Sequence, residues 1–105
     1  MNEDLGPGCL VFSKAGRDKE KPFIVVGMEE IGNINYVYLA DGEQRKVQCP
    51  KRKNIKHVQV TKARDSEIQE KLSAGQPISN LEVRGAIARL LASYRCSSFS
   101  SKGGR

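Results

Sequence analysis

The sequence changes rhythm at Thr61. Before it, short apolar stretches are cut repeatedly by turn residues, and six of the ten glycines fall there. After it, apolar residues recur at helical spacing. Cys9 to Ser13 is the first predicted strand, entered through Gly6-Pro7-Gly8, and Lys14 to Pro22 is a charged loop around Gly16. Phe23-Ile24-Val25-Val26, continuing through Gly27 to Met28, is the longest apolar run and fits the central, most buried strand. Gly32-Asn33 makes a turn. Tyr36 to Ala40 then alternates aromatic with aliphatic residues, the period-2 mark of a strand with two unlike faces. Asp41-Gly42 is a two-residue hairpin signal, because both central positions of that turn need positive φ. Arg45 to Cys49 is expected to return as a strand, ended by Pro50, and His57 to Val60 supplies the fifth. Five short strands with tight turns predict a small barrel, since closure removes exposed edges.

Beyond Thr61 two short helices are expected. Asp65 or Ser66 caps the first, which carries Ile68 and Leu72 and ends at Gly75. Ser79 and Glu82 have capping-box spacing at the start of the second, with Ile78 and Val83 placed as a hydrophobic staple. Val83, Ile87, Leu90, Leu91 and Tyr94 share one face of it, with Arg84 and Arg89 away from that face. Such a stripe needs something to pack on, most simply the barrel or the first helix. The organisation predicted is a barrel over 1–62, a helical appendage packed on it over 63–95, and a disordered Ser/Gly-rich tail over 96–105.

The 105 residues carry a net charge of +6, and its distribution matters more than its size. Between Gln44 and Arg64 stand eight cations and no acid, leaving ten cations against twelve acids elsewhere. A local basic patch calls for a polyanionic partner. Phe23 to Val26 is too short to cross a bilayer, and Met1-Asn2-Glu3-Asp4 does not resemble a signal peptide. The expected compartment is the cytoplasm, with no membrane partner. Cys9, Cys49 and Cys96 are an odd, widely spaced set, which argues against a disulfide framework. His57 is the one histidine, so zinc and other cofactors are not expected.

The stretch from Gly8 to Lys19, followed by Phe23-Ile24-Val25-Val26-Gly27, resembles the KOW motif: a strand, a basic loop around one glycine, and a second strand. Gly16 matches the glycine position. Leu39-Ala40-Asp41-Gly42, Arg45-Lys46-Val47 and Pro50-Lys51-Arg52-Lys53 follow in an order similar to small KOW-domain RNA-binding proteins of Gram-positive bacteria. Those in turn are similar to an archaeal and eukaryotic large-subunit ribosomal protein. The resemblance spans residues 5 to 91. It implies a mostly β fold with C-terminal α, an SH3-like five-stranded barrel whose loops contact ribosomal RNA.

The residues themselves point the same way. Gly16 suits a loop that turns sharply or lies close to a ligand, and Lys14, Arg17 and Lys19 beside it are suited to phosphates. Asp18 and Glu20 dilute the charge of that loop. The stronger candidates are Lys51, Arg52, Lys53 and Lys56 in a predicted loop started by Pro50, supported by Arg45 and Lys46. Competing explanations stand beside these: Gly16 serving only a β-turn, and the charge run being a solvated face. His57, Tyr36 and Tyr38 are candidates for stacking on unpaired bases. The tyrosines equally suit a seat for the second helix under Ile87 and Leu91, the reading preferred here, and His57 equally suits a plain surface position.

No nucleophile setting, oriented histidine or phosphate-cradling glycine motif is present. The expectation is a non-enzyme that binds RNA, ribosomal RNA in particular, and is a monomer when free. The alternative is a KOW-type module that docks a ribosomal protein or a transcription or translation factor.

Overall fold

The computed structural model describes residues 5–14, 16 and 19–103, with side chains described as far as 93. Five antiparallel strands come first: β1 (Cys9–Ser13), β2 (Pro22–Ile31), β3 (Ile34–Ala40), β4 (Lys51–Asn54) and β5 (Val58–Arg64). A 3-10 turn at Ile55–His57 joins β4 to β5, and two helices follow, α1 (Ser66–Ser73) and α2 (Asn80–Gly103). The strand order is β4-β3-β2-β1-β5, so the Phe23 to Met28 run does lie in the middle strand. The ladder is open, with β4 and β5 as its edges.

Alternation along the strands builds two cores. One face collects Cys9, Val11, Phe23, Val25, Val37, Leu39 and Val58, all buried, with Leu5, Ile55 and Val60 at the margin. The helices pack on the other face instead. These residues exclude water because the sheet curls over them. Breaks of register between Cys9 and Val11 and between Val25 and Gly27 give the strands the local bend that curling needs. The opposite face presents Leu10, Ile24 and Ala40 to Ile68, Val83, Ala86 and Ile87 of the helices. Fully burying a side chain such as Ile68 stabilises by roughly 1.5–3 kcal/mol, so this second core fixes the helices to the sheet.

Local signals explain the helix starts. Asp65 is the N-cap of α1, its Oδ1 accepting from the Ile68 N–H at 3.0 Å. Gly75, at φ 75°, closes α1 in the left-handed conformation that glycine adopts freely. Ser79 Oγ accepts from the Glu82 N–H at 3.1 Å, and the Glu82 carboxylate turns to Lys71 of α1 at 2.8 Å.

Several expectations are corrected. Residues 45–49 form no strand; the fourth strand is Lys51–Asn54, so Pro50 precedes a strand instead of ending one. Asp41-Gly42 is not a two-residue hairpin. Asp41 Oδ1 accepts from both the Glu43 and Arg45 N–H groups at 2.8 Å, and this side-chain turn opens a wide connection from 41 to 50. The two-residue hairpin is Gly32-Asn33, where Ile31 pairs with Ile34 and Gly32 has φ 63°. The second helix is not short: its backbone is helical for 24 residues. Tyr94 and the tail expected to be disordered, 96–105, fall where side chains lie outside the described residues; the backbone there is helical to Gly103.

Candidate nucleic-acid interface

The Gly16 loop and the basic patch meet. The Lys14 N–H donates to the His57 carbonyl at 2.8 Å, tying the β1–β2 loop to the 3-10 turn. A Cβ on Gly16 would stand 3.8 Å from Lys53 Nζ, and Gly16 has φ 81°. The Lys19 N–H donates back to the Gly16 carbonyl at 3.2 Å, folding the loop on itself. Lys14, Lys19 and Lys56 are exposed and Lys53 is half-buried. Lys56 is held at the start of the 3-10 turn by Asn54, whose Oδ1 accepts its N–H at 2.9 Å. Arg17 lies outside the described residues.

The predicted patch loop is in fact an edge strand, which divides its cations between two faces. Lys51 pairs with Leu39 and Lys53 with Val37, whereas Arg52 pairs with Tyr38 and Asn54 with Tyr36. Cross-strand partners share a face, so Lys51 and Lys53 stand on the side of the curled core and Arg52 on the tyrosine side. The Arg52 guanidinium lies 4.8 Å from the centre of the Tyr36 ring, a cation–π arrangement. Lysine and arginine on an edge strand also blunt unwanted strand pairing, so β4 alone would be ambiguous. Its junction with the Gly16 loop favours the ligand explanation.

Arg45 and Lys46 are not part of this junction. They belong to the 41–50 connection, which is tied to the start of α2 by the Val47 N–H on Asn80 Oδ1 at 2.8 Å. Arg45 is half-buried and Lys46 exposed. Lys62 and Arg64 on β5 are exposed, and Arg64 stands at the far end of that strand from the 3-10 turn, beside Asp65, Glu67 and Glu70.

Tyr36 and Tyr38 do not seat α2. The helix stripe packs with Leu10, Ile24 and Ala40, and the tyrosines lie further along β3, half-buried. The residue that sequence reasoning missed is Glu29. It pairs with Tyr36 across the hairpin, accepts the Tyr38 O–H at 2.5 Å, and lies 3.7 Å from Arg52. That hydrogen bond to a carboxylate pushes the Tyr38 hydroxyl above the ordinary phenol range. Counting back from a two-residue turn at Gly32-Asn33 would have placed Glu29 opposite Tyr36.

Among the described residues no three metal-ligating side chains cluster, and no helix is long and apolar enough to cross a membrane. Cys9 is buried, its thiol donating to the Thr61 carbonyl at 3.3 Å, and Cys49 is exposed; neither is in a disulfide. No family model matches the chain, and no curated protein matches it.

Proposed function

We propose that this chain is a KOW-type RNA-binding protein, that its curled sheet is an SH3-like barrel, and that it works on ribosomal RNA in the cytoplasm. In this reading it is not an enzyme and is a monomer when free. The observation that carries it is the meeting of two separate basic segments, with Lys14 bonded to His57 and Gly16 beside Lys53. Lys51, Arg52, Lys53 and Lys56 contact phosphates, and Lys14 and Lys19 add contacts from the loop. A glycine in the left-handed conformation keeps side-chain bulk out of the place where a phosphate would approach the lysines. Such contacts fix register and orientation on the RNA without reading its sequence. Glu29 pairs with Arg52 at 3.7 Å, whereas the Asp65 and Glu82 carboxylates are engaged with Arg89 and Lys71.

A second reading, docking of a ribosomal protein or transcription or translation factor, is favoured by one feature. Leu81 on the first turn of α2 is 74% exposed, beside a groove lined by Pro22, Ile87, Ala88 and Leu91. Sedimentation of cell extract through a gradient separates the two. Co-migration with ribosomes at low salt and release at high salt supports RNA contact. Association that persists unchanged at high salt and is lost in Leu81→Ser supports protein docking.

A further inference from the structure

β2 and β3 run on past their neighbours. Pairing of β1 with β2 reaches only to Leu10–Ile24, and β4 pairs with β3 only as far as Tyr36. Beyond these points the two strands continue as a ribbon closed by Gly32-Asn33. The register break between Val25 and Gly27 falls where β1 leaves β2, and such breaks turn a ribbon away from its sheet. A two-residue turn closes on a pair that exchanges both hydrogen bonds, and pairs of that kind alternate along the ladder. Ile31–Ile34 is the closing pair, so Ile31 and Glu29 bond to β3 while the N–H and C=O of Met28 and Glu30 point outward. Among the described residues no strand pairs with Met28 to Ile31 on that side.

The side chains along this open edge say what fits it. Three of the four large apolar residues exposed among the described ones lie on the ribbon: Met28, Ile31 and Ile34. β2 and β3 carry two acids, Glu29 and Glu30, and no cation, in a chain of net charge +6. Glu29 is shared with Tyr38 and Arg52, and Glu30 is exposed. An open strand edge with apolar side chains is a template for another strand. The acids select which one. Antiparallel pairing of Met28–Ile31 with the same segment of a second copy sets Glu29 opposite Glu30, and like charges opposite each other are destabilising. RNA phosphates are repelled by the same two carboxylates. β4 of a second copy has the right charge, but Lys51-Arg52-Lys53-Asn54 offers no apolar residue to meet Met28 and Ile31.

We infer that the open edge of β2 takes an extended basic segment of another protein as an added strand. Its pattern follows from the edge. Set against Met28, Glu29, Glu30 and Ile31, the added strand reads aliphatic, cationic, cationic, aliphatic, the same in either direction. The N–H and C=O groups of Met28 and Glu30 supply the ladder, and the side-chain pattern supplies the selectivity. The inference does not depend on the RNA reading, and its failure would leave that reading untouched.

The test titrates the full chain, followed by NMR, with a short peptide centred on Val-Lys-Lys-Val, with its Val-Glu-Glu-Val counterpart, and with a fully N-methylated form of the first. The basic peptide should bind and slow hydrogen exchange at the Met28 and Glu30 amides, which point outward in the free chain. The acidic peptide should bind about 10-fold more weakly or worse, since two cross-strand pairs change from opposite to like charge. N-methylation keeps the charges and removes the ladder donors, so it should abolish binding. Glu30→Lys, at an exposed position, should weaken the basic peptide about 5-fold. Equal binding of the N-methylated or of the acidic peptide overturns the added strand. So does a failure of the basic peptide to bind, or protection that spares Met28 and Glu30. Self-association of the free chain that Glu30→Lys abolishes assigns the edge to a second copy and overturns the inference as well.

Discussion

Asp65 joins three parts of the molecule, which makes its removal a sharp test of how the helices are held. Its backbone N–H donates to the Gly8 carbonyl at 3.0 Å, its Oδ1 caps α1, and its Oδ2 accepts from Arg89 of α2 at 2.6 Å. The residue is only 7% exposed. Asp65→Ala removes the cap, which costs about 1 kcal/mol. It also removes a charge-assisted bond whose Arg89 side is 61% exposed; solvent screening limits that part to about 0.5–1 kcal/mol. The sum is about 2 kcal/mol, a fall in thermal midpoint of roughly 10 °C for a domain of this size. Asp65→Asn keeps a cap acceptor and loses the charge, so it should cost only the second part. Burial alone would raise the Asp65 pKa, but the Ile68 N–H and the Arg89 guanidinium outweigh it and hold the carboxyl below its usual 3.8. A group with a depressed native pKa stabilises above its unfolded value and loses that contribution as pH falls through the native one. The gap between the parent and Asp65→Asn is therefore full at neutral pH and shrinks as pH drops below 3.8. Circular-dichroism melts at several pH values measure both effects. A midpoint within 2 °C or so of the parent for Asp65→Ala at neutral pH, against the drop expected from the cap, would refute this picture of the helix attachment.

Ser79→Ala should cost about 1 kcal/mol by removing the α2 cap, with RNA affinity unchanged, measured by melting and anisotropy side by side. Ile87→Ala should destabilise by about 2–4 kcal/mol, because Ile87 is nearly buried in the helix–sheet core; an unshifted denaturation midpoint would show α2 to be undocked in solution. Gly42→Ala should unfold the 41–50 connection, since a Cβ there would stand 2.4 Å from the Asn80 carbonyl at φ 83°. Gly32→Ala, with open space around it, should cost only about 1 kcal/mol of left-handed strain.

Local chemistry made the helices legible. Asp65, Ser79 and Gly75 act where their residue types say they should, because capping involves only neighbours in sequence; the Glu82 carboxylate, expected to complete a capping box, turns to Lys71 of α1 instead. The central strand was equally plain from its apolar run, and the two-faced β3 from its alternation. What failed was anything set by distant contacts. Asp41-Gly42 looks like a tight hairpin, yet Gly42 lies against Asn80 and Arg84, so α2 decides its conformation. β4 was invisible because Lys51-Arg52-Lys53-Asn54 has no apolar residue and low strand propensity; it is a strand only because β3 offers it a ladder. The curvature that joins Gly16 to Lys53 arises from register breaks no single-strand pattern reports. The basic residues of β4 are plain in the sequence, but their division between two faces required the register Leu39–Lys51 through Tyr36–Asn54.

The most direct test of phosphate contact through β4 and the adjoining turn is the salt dependence of RNA affinity with Lys51, Arg52, Lys53 and Lys56 all changed to Gln. Each lost phosphate contact removes roughly 1 kcal/mol and about 0.7–0.9 from the slope of log affinity against log salt. The quadruple variant should therefore bind a structured ribosomal RNA fragment about 1,000-fold more weakly at low salt, with a slope flatter by about 3. Its melting midpoint should stay close to that of the parent, because the changed side chains carry no buried apolar core. Equal affinity and an equal slope in parent and variant would contradict the assignment of this surface to RNA.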